Sequence, residues 1–320
     1  MLRKGSVAMN KRDAVFNLVY SSAPPDHTPA AFFLHFDPLY HQGQPAIDKH
    51  LEFFRLTGMD FVKIQYEQTP LPLPTIRKPE DWAQAPHYLE VDFEPTLHVV
   101  EGLVKAAKAE ALIIMTVYSP FMWAGQLASA DDLALHLREN PEAVKVGLEI
   151  LTENVVTLVR ACKKAGVDGF YVSTQGGEAF RFKGTDIFQK YIKPTDLTVW
   201  AEIKNDPFNI LHVCDYNGGY DDLTPFLDYP GQAVNCSLKV GEKTLSPKEA
   251  SQMFGRPFMG GLERKGAIAT GTLKDVRQLT KNILAEAPER FMLAADCTVP
   301  SETPWNHLKA AIEVAHKYGK

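Results

Sequence analysis

The chain has 320 residues, 45% of them hydrophobic and 23% charged, with a formal net charge of −5. That length can bury a sizeable core in one large domain or two small ones, and mild acidity without clustered Lys and Arg argues against a nucleic-acid surface. No apolar run reaches bilayer-spanning length, and the basic start M-L-R-K-G-S lacks the apolar stretch of a secretion signal. Four thinly spread cysteines fit a reducing compartment, so a cytoplasmic location is expected.

Taken in order, short apolar runs alternate with helical patterns. A first strand is predicted over 29–36 (P-A-A-F-F-L-H-F), then a helix over 45–56 that Gly58 ends, and a second strand over 60–66. A helix over 97–110 leads to a strand over 111–118, and a helix over 141–165, closed by Gly166, leads to a strand over 169–174. Next come a helix over 185–204, strands over 208–214 and 233–238, a helix over 246–254 with Pro247 behind a Ser246 cap, and a strand over 258–262. A helix over 272–287, a strand over 291–299 and a helix over 303–318 complete the pattern. The weakest link is that between the fifth and sixth strands, where only 223–227 is available.

Near-continuous apolar strands are the mark of a parallel sheet covered on both faces. Eight strand–helix units predict the α/β class, as a single (β/α)8 TIM barrel over 29–320 with an N-terminal extension over 1–28. An open doubly wound sheet is the structural alternative.

The fifth strand ends in L-H-V-C-D, which sets His212 and Cys214 two residues apart. Side chains at i and i+2 of a strand share a face, so both could grip one ion from one side. Cys297, in A-A-D-C-T-V-P of the last strand, would complete the set. Imidazole and thiolates are zinc ligands, and three of them leave a fourth position open for water or substrate, as in catalytic sites. The alternative is three small buried residues with no ion between them. In a (β/α)8 barrel the active site lies at the carboxyl ends of the strands, and both halves of this set fall on that rim.

Other residues share the rim. Glu178, after the G-G turn of the fourth strand, is a candidate fourth ligand or substrate partner, against a solvated loop carboxylate. Glu263, after F-M-G-G-L, is a second candidate catalytic carboxylate. Asp215 and Asp296 should point away from their cysteine neighbours and serve as structural partners, holding the other nitrogen of His212. His35 and Tyr66 could line a cofactor pocket or sit in the core. Gly218-Gly219 and Gly260-Gly261 could admit a flat cofactor, although a turn is the commoner reason for such glycines. Phe121, Met122 and Trp123 form an apolar cluster after the third strand, a cofactor face or ordinary loop packing, while Cys162 and Cys236 read as packed thiols. Phosphate-loop, dinucleotide and nucleophile-elbow motifs are absent.

The stretch P-E-A-V-K-V-G-L-E-I-L-T-E-N-V-V-T-L-V-R-A-C-K-K-A-G-V-D-G-F-Y-V-S-T-Q-G-G-E, with F-Q-K-Y-I-K-P and D-C-T-V-P-S-E-T-P-W-N-H-L-K-A-A, resembles the uroporphyrinogen decarboxylase superfamily. The likeness covers about two thirds of the chain, over 141–219 and 257–318, and implies a (β/α)8 barrel. The superfamily's decarboxylases hold porphyrinogen carboxylates with N-terminal arginines of an M-R-Q-A-G-R-Y type motif and bind the pyrroles with an aspartate of the second strand. Here the first strand runs into H-F-D-P-L-Y, no Arg occurs between Arg12 and Arg55, and the second strand ends in I-Q-Y-E-Q. His212, Cys214 and Cys297 instead match the H-x-C and distant Cys of the methylcobamide:thiol methyltransferases. That resemblance implies zinc holding a thiol acceptor, a methylated corrinoid as donor, a partner corrinoid protein as its carrier, and a homodimer as in many members. A metal-free decarboxylase, or a non-catalytic barrel holding a corrinoid or tetrapyrrole, are the other readings.

Overall fold

The computed structural model describes residues 10–21, 25–184 and 186–318. Its strands are β1 (Phe61–Lys63), β2 (Leu112–Tyr118), β3 (Gly169–Thr174), β4 (Ile210–Val213), β5 (Ala233–Cys236), β6 (Lys239–Val240), β7 (Lys243–Thr244), β8 (Phe258–Leu262) and β9 (Phe291–Ala295). Seven of them form one curled parallel sheet in the order β1-β2-β3-β4-β5-β8-β9, and β6 and β7 make a separate antiparallel hairpin. β3, β5 and β9 are buried at every position, as a parallel sheet covered on both faces requires.

The predicted first strand behaves differently. Within 29–36 only Ala30 forms a bridge, to Leu293 of β9. The segment nevertheless bonds to both edges of the sheet. The Leu293 amide donates to the Pro29 carbonyl (2.9 Å), Ala31 donates to Leu293 (3.1 Å), Asp60 donates to Ala30 (3.0 Å) and Phe36 donates to Gln65 (2.9 Å). A regular ladder is broken where the Leu34 amide turns to the Gln65 side chain, at 3.1 Å.

The helices are α1 (Lys11–Tyr20), α2 (Gly43–Thr57), α3 (Glu94–Ala107), α4 (Pro120–Leu127), α5 (Ala130–Glu139), α6 (Pro141–Ala165), α7 (Lys193–Ile203), α8 (Pro247–Phe254), α9 (Ala267–Thr270), α10 (Leu273–Glu286) and α11 (Trp305–Lys317). Side chains of Ser119, Ser129, Asn140, Ser246 and Thr272 accept from the first turns of α4, α5, α6, α8 and α10. Gly58 and Gly166 end α2 and α6 in the left-handed conformation, the expected stop signals. α1, α4 and α5 were not evident in the periodicity. The helix expected over 185–204 is α-helical at 186–187, widens into a π turn over Phe188–Ile192 and continues as α7, and Thr185 lies outside the described residues. The weak link at 223–227 holds only a 3-10 turn, Thr224–Phe226.

α1 packs at the amino ends of the strands. Arg12 Nη2 pairs with Asp168 just before β3 (2.7 Å), Tyr20 donates to the Pro207 carbonyl before β4 (2.5 Å), and Arg290 before β9 donates to Leu18 (2.9 Å). Residues 1–9 and 22–24 of the segment expected as an N-terminal extension lie outside the described residues. At the same end the buried Asp60 carboxylate takes His27 Nε2 on one oxygen (2.9 Å) and His316 Nε2 on the other (2.8 Å), tying both ends of the chain to β1. Among the described residues no helix is long and apolar enough to cross a membrane. The opposite, carboxyl end of the sheet carries the candidate site.

Candidate metal centre

β4 delivers His212 and, one residue past its end, Cys214. Cys297 follows β9 by two residues, across the sheet. The two sulfur atoms lie 4.0 Å apart, and one ligand atom from each of the three residues falls within 4.8 Å of the others. Two zinc–sulfur bonds of about 2.3 Å at a tetrahedral angle place sulfurs about 3.8 Å apart. The pair is thus already spaced for one ion, and an imidazole with two buried thiols is the donor set zinc takes.

The surroundings hold these ligands in place. His212 Nδ1 meets the Asn235 carbonyl at 3.3 Å, which leaves Nε2 as the ring atom available to a metal. The His212 ring stacks on Tyr171, with centroids 4.9 Å apart. Asn235, on β5, accepts from Tyr171 Oη (2.6 Å) and donates to the Met259 and Ala295 carbonyls (2.8 and 2.9 Å), cross-linking β3, β8 and β9. Gln175 Nε2 points at Cys214 Sγ from 3.4 Å. The hydrogen bond between the two thiols holds Cys297 below the ordinary thiol range, against burial and with help from His212 and Arg264, while the same bond and burial push Cys214 up.

Arg264 organises the far side. Its Nη1 lies 2.6 Å from Asp215 and 3.5 Å from Asp296, and its amide donates to Asp296 at 2.9 Å. Each aspartate is the chain neighbour of a cysteine ligand, so one guanidinium braces both halves of the set. The expectation that these carboxylates hold the other nitrogen of His212 is corrected: that nitrogen goes to the Asn235 carbonyl.

The thiols open on a cavity of about 360 Å³. Its wall includes Glu67, Tyr66, Tyr118, Phe121, Tyr171 and Tyr216 beside the three candidate ligands. Met122 packs directly with Cys214 and Cys297. Beneath the wall Lys63 is fully buried, its ammonium over the rings of Phe33 (4.5 Å) and Tyr171 (5.0 Å), and burial pushes it down to about 8. Burial pushes Glu67 up, but His35, 3.2 Å away, and Lys63 leave it below the usual carboxylate range.

A sequence profile described as uroporphyrinogen decarboxylase (URO-D) matches residues 55–318. The chain belongs to the uroporphyrinogen decarboxylase family. A methyltransferase from Methanosarcina mazei superposes on 98% of this chain and 100% of its own with a TM-score of 0.76 at 16% identity. A B12-independent methionine synthase from Shewanella sp. W3-18-1 covers 92% of this chain and 98% of its own, with a TM-score of 0.60 at 13% identity. A putative B12-independent methionine synthase from Listeria monocytogenes follows at 0.52 and 12%, over 93% and 99%. At such identities the likeness is one of fold. No curated protein sequence matches the chain.

On this uroporphyrinogen decarboxylase fold the other candidate residues separate. His35 and Tyr66 line the cavity with the thiols. Glu178 does not: its carboxylate is buried and saturated by Arg181 (2.7 and 2.8 Å) and the Gly176 amide (2.8 Å). The E-A-F-R spacing at 178–181 was the available signal, since an acid and an arginine three apart can pair. Glu263 is exposed on a neighbouring depression with Asp215, Arg264 and Asp296. Gly218 closes a turn, its amide donating to the Asp215 carbonyl at 3.1 Å, and a Cβ there would meet the Phe180 ring at 2.4 Å, so it offers no face to a cofactor. Phe121 and Met122 line the cavity and Trp123 is buried behind it, on α4. Cys162 and Cys236 are packed thiols that burial pushes up to about 12.

Proposed function

We propose that this uroporphyrinogen decarboxylase family member is a zinc-dependent methyltransferase, moving a methyl group from a methylated corrinoid to a small thiol or related acceptor. The observation that carries the reading is the pair of sulfurs 4.0 Å apart with His212 in reach, at the wall of a cavity sized for a small molecule. His212, Cys214 and Cys297 would hold the ion, leaving one position facing the cavity. Zinc bound there would keep an acceptor thiol as thiolate near neutral pH.

The chain's own residues do the rest. Asn235 and Tyr171 fix the imidazole, Gln175 donates to the Cys214 sulfur, and Arg264 keeps the two cysteine-bearing loops in register. Tyr118, Phe121 and Met122 keep water from the nucleophile. A cavity of about 360 Å³ takes the acceptor and not a corrin ring, so the donor is read as presented at the mouth by a corrinoid protein. The same reading takes 29–36 as the eighth stave of a closed (β/α)8 barrel, supported by its hydrogen bonds to both sheet edges, and places the protein in the cytoplasm as a homodimer.

The cavity wall disfavours the decarboxylase alternative, because among the described residues it offers no Arg or Lys to a substrate carrying many carboxylates. Metal analysis of protein purified without chelator tests the proposal. About one equivalent of zinc, lost in Cys297→Ser, is expected; turnover of uroporphyrinogen by metal-free protein would overturn it, and tight corrinoid binding without transfer by the zinc form would select a binding barrel instead.

A further inference from the structure

The cavity wall has an unusual charge pattern for a site that is to hold an anionic sulfur. Glu67 is its one acidic side chain, and it has no Lys or Arg among its described lining residues. The Glu67 side chain is 11% exposed and only His35 hydrogen-bonds it, through Oε1 at 3.2 Å, long for a charge-assisted contact. Its other oxygen is left without a hydrogen-bonding partner among the described residues. Five aromatic rings, of Tyr66, Tyr118, Phe121, Tyr171 and Tyr216, share the wall. Aromatic faces with a carboxylate form the environment that receives an organic cation.

Charge balance leads to the same ligand. Two thiolates neutralise a zinc ion, and the thiolate of an acceptor adds one negative charge, which the buried Lys63 ammonium beside the site can offset. Glu67 then shares that one ammonium with the thiolate and keeps for itself only the long His35 contact, at 3.2 Å. A ligand with an anionic tail would add a second uncompensated charge in a place where desolvation is costly. A ligand with an ammonium group would remove the first.

We propose that the acceptor is an aminothiol, its sulfur at the metal and its ammonium on Glu67 among the tyrosine rings. This rests on the thiol-methyltransferase reading above and adds the class of acceptor.

Protein in which cobalt(II) replaces zinc reports thiolate binding through its sulfur-to-cobalt absorption, without any methyl donor. Titration with 2-aminoethanethiol, 2-mercaptoethanol and 2-mercaptoethanesulfonate should give affinities falling in that order, with at least about a tenfold gap between the first two, the range of a hydrogen bond to a charged group. In Glu67→Gln the ratio of the first two should fall towards one, and Glu67→Asp should restore part of it. Equal affinities, tighter binding of the sulfonate, or a preference that survives Glu67→Gln would overturn the aminothiol assignment while leaving the thiol-methyltransferase reading intact. No absorption change with any of the thiols would sink both.

Discussion

Cys214 and Cys297 are separated by 83 positions in the chain, yet their sulfurs sit 4.0 Å apart with a single guanidinium, that of Arg264, braced against the aspartates beside them. That arrangement makes each supporting residue open to test.

Arg264→Met leaves Asp215 and Asp296 facing one another without a cation. Removing one partner of a mostly buried ion network costs on the order of 3 kcal/mol. Urea denaturation should register that loss, and chelator competition should show weaker zinc retention. An unchanged zinc affinity would remove Arg264 from the support of the site.

Asn235→Ala strips donors from the Met259 and Ala295 carbonyls and the acceptor from Tyr171. Leaving buried polar groups unsatisfied costs about 1–3 kcal/mol each before relaxation. His212 keeps its contact with the main-chain carbonyl of residue 235, so zinc should be held less well only through the loosened Tyr171 ring stacked on the imidazole, by less than the roughly 10–100-fold of losing an outer hydrogen-bond partner outright. Competition with a fluorescent chelator reads the change.

Asp196 is buried beside the end of β3, accepting from Thr174 Oγ1 (2.5 Å) and Tyr229 Oη (2.9 Å), and burial raises it from 3.8 to about 7. Between those values the folded state keeps a proton that the unfolded chain has released, so stability falls as pH rises through this window. Asp196→Asn keeps an acceptor for both donors and titrates in neither state. Urea midpoints compared at pH 5 and pH 8 should drop more in the parent than in the variant; parallel behaviour would show that the carboxyl is ionised in the fold throughout.

For Lys63, burial depresses the folded value from 10.5 to about 8, so the folded state binds fewer protons than the unfolded between the two. Its contribution improves as pH rises through that interval and is unfavourable below it. Metal-free Lys63→Met should therefore melt at a higher temperature than the parent at pH 7, with the gain shrinking towards pH 10. The same variant should bind thiols more weakly in the cobalt form, because the cation beside the third sulfur is gone.

Much of this is legible in the sequence. The period-two alternation that puts His212 and Cys214 on one face is a property of any strand, and the placement of Cys297 follows from the strand order. The ends of β3, β8 and α6 fall where the apolar pattern and Gly166 put them. What escaped were residues whose role arises only through space: Asn235 and Arg264 are unremarkable in sequence, and Glu67 is one carboxylate among many. Glu178 stands beside a glycine pair, but Arg181 three residues on consumes it. The run F-M-W-A-G-Q-L reads as loop because its apolar residues face cavity and core at once, which erases a helical stripe in α4.

The lightly bonded segment at 29–36 has one more consequence. β2 and β3 are joined over five residue pairs, whereas this stretch meets β9 at a single bridge. A wall held by separate bonds and not by a continuous ladder opens more readily than the β2–β3 seam, and this stretch carries His35, the neighbour of Glu67. Ligand traffic and amide exchange should both be faster along it than across β2 and β3, on the side of the chamber where Cys297 follows β9.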